Sequence, residues 1–371
     1  MERIYFDYNA STPIAPEVVE AMKPLLTDYF GNPSALHWAG KPIKELLQTA
    51  RQQVADLIGS TSGEIIFTSG GSEANNLALK GFYFKNRHKG NHIITSKIEH
   101  PAILNPCKFL EQIGARVSYV GVDHYGRVSI EEIEKAITKE TILITIMHSN
   151  NETGTLQPIK EIGRIAEKYG IAFHSDASQS VGKVPVDVND LKVDLLTIAG
   201  HKLYGPKGIG ALYIREGMEL EPLIHGAGHE NGLRAGTENT LLAVGLGKAC
   251  EVAATQTSHI RDLTDYFWTK LRAEFGEHVV LNGHPEERLP NTLNVSFINR
   301  VGQEILSAIP YLAASTGSAC HAGSIELSPV LKEMAIPEKV GMGAIRFSLG
   351  RATKKEEIDT VIKSFKKILE A

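Results

Sequence analysis

The sequence predicts an α/β protein: a large domain on a mostly parallel sheet, joined to a smaller α+β domain. Three observations carry that expectation. Between Glu64 and Ile214, short apolar runs alternate with helical patterns of about 10–15 residues, which describes a sheet covered on both faces. The runs are bounded by Gly, Pro, Asn and Ser, as buried strands are. After a long helical pattern from Glu238 to about Phe275, a shorter set of runs (HVVLNG, NTLNVSFI and AIRFSLG) mixes with further helices. At 371 residues the chain is long enough for two cores.

The elements follow in order. A short extended piece, IYFDYNA, leads to Pro13 and Pro16. Helical periodicity runs through PEVVEAMKPLL and again from Ile43 to Ile58, with the turn-rich GNPSALH (Gly31 to His37) between. The alternation reads EIIFTSG then SEANNLALKGFYF, HIITS then PAILNPCKFLEQIG, and ARVSYVGV then SIEEIEKAI. It continues with TILITIMHS, PIKEIGRIAEKYG and IAFHSDAS. A hairpin closes the set, its two apolar runs (Val193–Ile198 and Ile209–Ile214) joined by a Gly/Pro turn. The chain finishes on the helical KKEEIDTVIKSFKKILEA. The implied domains are 16–255 for the large unit and 1–15 with 256–371 for the small one. There is no internal repeat, linker or low-complexity tract.

Composition narrows the function. A formal net charge of -4 with no like-charge run gives no footprint for nucleic acid. The three cysteines, Cys107, Cys250 and Cys320, contain no C-x-x-C, which suits a reducing cytoplasm and no disulfide framework. MERIYFDYNAST has no signal pattern and no 18 apolar residues run together, so a cytoplasmic protein without a membrane span is expected. The sequons at Asn151 and Asn294 therefore carry no weight. His225-x-x-x-His229 has ligand spacing, but Gly226, Gly228 and Gly232 make it a loop, and no metal is expected.

The chemistry collects where strands end, as ligands do in open α/β sheets. Lys202 follows the run ending at Ile198, through Ala199, Gly200 and His201. A lysine held poorly solvated there loses basicity and becomes a nucleophile. Gly70-Gly71-Ser72 follows a strand and starts a helix, a place where backbone amides favour an anion such as phosphate. It is neither a G-x-G-x-x-G nor a Walker A sequence, and Gly200 to Lys207 imitates the latter only loosely. His100 stands after HIITS and before Pro101, as a cap or as a flat ring against a ligand. Asn150 and Asn151 follow TILITIMHS, and Asp176 and Gln179 follow IAFHS. A strand-end aspartate needs a cation or several donors. Together these supply an anion cradle, a stacking face, an acid for a pyridinium nitrogen and a Schiff-base amine. Pyridoxal 5'-phosphate requires all four.

Over nearly its whole length the chain resembles the NifS/IscS-type cysteine desulfurases of the class V aminotransferase fold. The segments that carry the resemblance are FDYNAST, GNPSALH, FTSGGSEANN, the EH of IEHPAIL, NNETG and HSDASQSVGK. So do GHKLYGPKGIGALY, LRAGTEN, GSACHAGS and IRFSLGR. The resemblance implies a fold type I pyridoxal-phosphate-dependent transferase with a seven-stranded sheet in the large domain. It implies Lys202 as the Schiff-base lysine, His100 on the ring face, Asp176 at the pyridine nitrogen and Gln179 near the ring hydroxyl. Gly71, Ser72 and His201 would meet the phosphate, joined by Thr237 from the second subunit of a homodimer. Asn151 and Arg346 would hold the substrate carboxylate. One position departs: the family often has Ser where this chain has Ala199, a loss of one hydrogen bond of roughly 1 kcal/mol.

Cys107 and Cys250 lie in apolar helical patterns and read as small buried hydrophobes. Cys320, beside His321 in the Gly/Ser/Ala-rich STGSACHAGSIELS, reads instead as the nucleophile. Gly317 and Gly323 would let that loop move. The implied reaction takes sulfur from L-cysteine, leaving L-alanine and a persulfide on Cys320 for an acceptor such as an iron–sulfur scaffold. Selenocysteine lyase and class V aminotransferase are the rivals within the fold. A cofactor-free scaffold that binds a partner is the rival outside it.

Overall fold

The computed structural model describes residues 2–254, 259–317, 320–321 and 324–369, with 320, 321, 324 and 325 described as backbone only. The large sheet has seven strands. They are β1 (Ile65–Thr68), β2 (His92–Ser96), β3 (Arg116–Val120), β4 (Thr141–Thr145), β5 (Ala172–Asp176), β6 (Leu195–Ala199) and β7 (Gly210–Ile214). Their spatial order is β1-β7-β6-β5-β4-β2-β3. Only β7 runs against its neighbours, pairing antiparallel with both β1 and β6. The remaining pairs are parallel. The strand-and-helix alternation thus folds as expected, with the lysine hairpin as the antiparallel exception.

Adjacent residues of the strands enter different cores, because side chains alternate across a strand. Ile94, Ile144, Leu196 and Ile198 pack into one apolar cluster, and Ile93, Leu143 and Leu195 into another. The first cluster also holds the buried stripes of helices Lys41–Ile58, Ile159–Tyr169 and Thr240–Ala253. The second holds those of the helical stretch from Gly71 to Asn86 and of helix Pro101–Gln112. Helix Lys41–Ile58 stops at Gly59, whose φ of 70° is the left-handed cap that glycine adopts without cost. The helical pattern from Glu238 to Phe275 is described as two helices, Thr240–Ala253 and His259–Phe275.

The second sheet is antiparallel, with β8 (Val279–Asn282), β9 (Thr292–Phe297) and β10 (Ala344–Ser348) in the order β10-β9-β8. Its core combines Ile, Leu and Val with a phenylalanine cluster: Phe267 meets Phe347 at 5.0 Å and Phe297 meets Phe365 at 5.3 Å, both edge-on. The N-terminal Ile4 and Phe6 belong to this core, and strand Ile4–Tyr5 pairs parallel with Leu312–Ala313. Residues 7–12 then cross to the carboxyl ends of the large sheet, so the two sheets meet over one site. Among the described residues no helix is long and apolar enough to cross a membrane.

Candidate active site

A cavity of about 360 Å³ lies beyond the carboxyl ends of the parallel strands. Gly71 and Ser72 enter it after β1, His100 after β2, Asn151 after β4, Asp176 and Gln179 from β5, and His201 and Lys202 after β6. Arg346 reaches it from β10. These are nine of the eleven residues the sequence proposes for the site. Thr237 is exposed and does not line the cavity. The Cys320 side chain lies outside the described residues; its backbone forms a short pairing with Ile325.

Lys202 ends the helical turn Gly200–Lys202. Its Nζ donates to the carbonyls of Asn9 at 2.6 Å and Ala10 at 2.9 Å. Burial, aided by the Arg346 charge and opposed by Asp7 and Asp176, pulls its pKa down to about 8. An amine of that basicity is partly neutral near neutral pH and therefore nucleophilic. It has open space beside it, since it lines the cavity.

Asp176 is buried, and the cost is met by two donors. Its Oδ2 accepts from Asn75 Nδ2 at 2.7 Å and its Oδ1 from the Ser178 amide at 2.9 Å. Asn75 was not singled out from the sequence, although it sits within SEANN. His100 caps helix Pro101–Gln112: its Nδ1 accepts from the Ala102 amide at 3.1 Å. That bond places the ring proton on Nε2 in the neutral form. Burial holds the His100 pKa below the usual range; Asp176 opposes this and Lys202 assists it. The preceding Glu99 is buried and ties two strand ends together. It accepts from Ser96 Oγ at 2.7 Å and from the Met147 amide at 2.9 and 3.1 Å. Burial, against those hydrogen bonds and with a further push from Asp176, raises Glu99 to about 8.

At the opposite end, Gly70 has φ 149° and ψ -179°, a conformation only glycine adopts readily. A Cβ on Gly71 would stand 3.1 Å from Ser178 Oγ and 3.3 Å from the Ala199 methyl, so the turn is tight as well as open to the cavity. His201 is pushed down to about 4 by burial and by Lys202, Lys207 and Lys183, and so acts as a neutral donor. Ala199 lines the cavity with a methyl group where a serine would place a hydroxyl.

Arg346 donates from Nη2 to Asp7 Oδ1 at 2.7 Å and from Nη1 to the Asn151 carbonyl at 3.0 Å. Among the described residues its Nε is buried without a partner, while the side chain as a whole lines the cavity. Asn151 thus meets Arg346 through its backbone. The residue the sequence reading passed over is Asn9, almost wholly buried. Its Nδ2 donates to Thr292 Oγ1 at 2.8 Å and to the Asn151 carbonyl at 3.3 Å, and its own carbonyl receives Lys202. The donor set fits pyridoxal phosphate: a weakly basic amine, a satisfied buried carboxylate, a neutral imidazole, a glycine turn and a guanidinium share one cavity.

Comparison with known proteins agrees. The family described as aminotransferase class-V matches residues 4–361. The cysteine desulfurase IscS of Dictyoglomus turgidum is 48% identical over 373 residues, 99% of this chain and 94% of the relative. A solved NifS-like protein superposes with a TM-score of 0.93 at 36% identity, covering 99% of each chain. A structure described as SspA in complex with cysteine superposes with a TM-score of 0.85 at 43% identity, over 93% of this chain and 98% of that one.

Proposed function

The chain belongs to the class-V aminotransferase family, among its cysteine desulfurases, and from that premise we propose that it desulfurates L-cysteine with Lys202, His100 and Cys320 around bound pyridoxal phosphate. The observation that carries the reading is the placement of the Lys202 amine and the Asp176 carboxylate in one cavity at adjacent strand ends.

When bound, pyridoxal phosphate supplies an electron sink that makes the substrate's Cα–H acidic. Lys202 Nζ would hold the cofactor aldehyde and would move the substrate's Cα proton. Asp176, fixed by Asn75 and Ser178, keeps the ring nitrogen protonated. Gly71, Ser72 and His201 bind the phosphate. The Arg346 guanidinium, with Asn151 beside it in the cavity lining, would receive the substrate carboxylate. His100 carries a proton on Nε2 and can exchange it with the substrate sulfur. The Cys320 thiolate attacks that sulfur: an S–S bond forms, the Cβ–S bond breaks with its electron pair left on carbon, and protonation there yields alanine. The outer sulfur of the persulfide would then pass to a nucleophile on a sulfur-acceptor protein such as an iron–sulfur scaffold, with the Cys320 thiolate as the leaving group. Cys107 and Cys250, both buried free thiols pushed up to about 12 by burial, are unsuited to that role.

A homodimer completes the site in this reading. Leu26, Phe30, Leu36 and Trp38 are 68%, 76%, 84% and 79% exposed, far more apolar surface than a monomer leaves in one stretch. A second copy covering them would bring its Thr237 toward the phosphate end. The experiment is incubation with L-cysteine and, separately, selenocysteine, following alanine, released chalcogenide and the visible spectrum together. Alanine without a visible cofactor band, or a band without alanine from either substrate, sinks the reading.

A further inference from the structure

Lys183, which the chemistry above does not use, reaches the site's inner wall. Its Nζ donates to Gln179 Oε1 at 2.9 Å and to Asn9 Oδ1 at 3.2 Å. Gln179 Nε2 in turn donates to the Asn9 carbonyl at 2.9 Å, the same oxygen that receives the Lys202 amine. Asn291 Nδ2 donates to Asn9 Oδ1 at 3.1 Å from the small domain. The Lys183 amine donates through its N–H bonds and meets the oxygen, not the nitrogen, of the Gln179 amide. The Gln179 amide is therefore held in one of its two flips. Its oxygen is committed to Lys183 and one N–H to Asn9, which leaves the second N–H for the cavity that Gln179 lines.

We propose that Lys183 is a positioning residue: it locks the Gln179 amide so that a donor, not an acceptor, faces bound pyridoxal phosphate, and it holds Asn9 in place under Lys202. The proposal rests on the cofactor reading above. Spacing supports it, because Gln179 and Lys183 lie four residues apart on one turn-rich stretch after β5. So does the electrostatic setting. Burial and the nearby charges of Lys202 and Arg346 lower Lys183 to about 7, an expense that a merely structural position would avoid with an apolar residue. A second cavity of about 320 Å³ is lined by Lys183 and Lys202 together with Tyr8 and Tyr204, so Lys183 backs the reactive lysine from the far side.

The test is a double-mutant cycle on the affinity of the apo-protein for pyridoxal phosphate, read by dialysis and by the visible maximum. Lys183→Met is expected to weaken binding about tenfold and to displace the maximum, in line with leaving the buried Gln179 Oε1 without its donor. In a Gln179→Ala background the same change is expected to cost less than about twofold, since its target is gone. Lys183→Gln, which restores an amide able to accept from Gln179, serves if the methionine variant does not fold, and is expected to show the same loss. Unchanged affinity in the single variant, or an equal loss in both backgrounds, overturns the proposal. A wild-type protein that forms no visible band overturns the cofactor reading instead.

Discussion

Asp7 and Arg346 stand 339 positions apart in the chain and 2.7 Å apart in the fold, joined as a largely buried ion pair. The pair orients a guanidinium that lines the cavity, and that orientation is the proposed grip on the substrate carboxylate. A lysine at 346 would keep the charge and lose the planar fork. Arg346→Lys is therefore expected to raise the KM for L-cysteine tenfold or more, about the worth of one charge-assisted hydrogen bond, with a smaller change in kcat. Steady-state alanine release measures both; an unaltered KM would remove Arg346 from substrate binding.

The same aspartate bears on Lys202. The amine has to be neutral to capture an aldehyde, and its pKa stands at about 8 rather than in the ordinary lysine range. Capture of pyridoxal phosphate by the apo-protein should accelerate as pH rises and level off above about 8. Asp7 favours the charged amine, so Asp7→Asn should move that midpoint downward. Stopped-flow absorbance across pH 6–10 follows it. A midpoint that stays put in the variant, or one in the ordinary lysine range in the wild type, contradicts the assignment.

Ala199 lines the cavity beside Gly71 and Ser72, the end proposed for the phosphate. Ala199→Ser adds one hydroxyl facing that end, beside the Ser178 hydroxyl and the Gly71 turn. A hydrogen bond to an anionic phosphate contributes about 1.5 kcal/mol or more, roughly tenfold in affinity for pyridoxal phosphate. Equilibrium dialysis of the two proteins decides it, and weaker binding by the serine variant would mean that the phosphate lies elsewhere.

Much of this was legible because its signals are local. The buried strands were readable as apolar runs with glycine borders, and Gly71, His100, Asp176 and Lys202 because each leaves a strand end. What escaped was long-range. Asp7 and Asn9 sit in an N-terminal segment whose partners, Arg346 and Thr292, come from the other end of the chain. Nothing in IYFDYNA reports that distance. Gly317 was read as a point of loop freedom, yet a Cβ there would stand 2.3 Å from Glu152 Oε2 and 3.1 Å from Ser328 Cβ. Packing against Glu152 and Ser328 therefore favours a small residue there beside any need for loop freedom. The carbonyl of Asn151 is held by Arg346 and Asn9, a backbone contact beside the substrate role proposed for that residue. Backbone roles of this kind leave no mark on residue type.

The exposed rings of Phe30 and Trp38, 6.5 Å apart and edge-on, give the oligomer its test. If a second copy covers them, replacing both by serine removes apolar surface without touching the core, since both side chains are mostly exposed. The double variant should stay folded by circular dichroism and shift toward a monomer in light scattering. Thr237 is exposed and away from its own chain's cavity, so monomers should also bind pyridoxal phosphate less tightly. Thr237→Ala in the intact dimer should reproduce the loss of affinity without the change in mass. A double variant that remains dimeric would place the interface elsewhere. A monomer that binds the cofactor as tightly as the wild type would leave Thr237 without a role across the subunits.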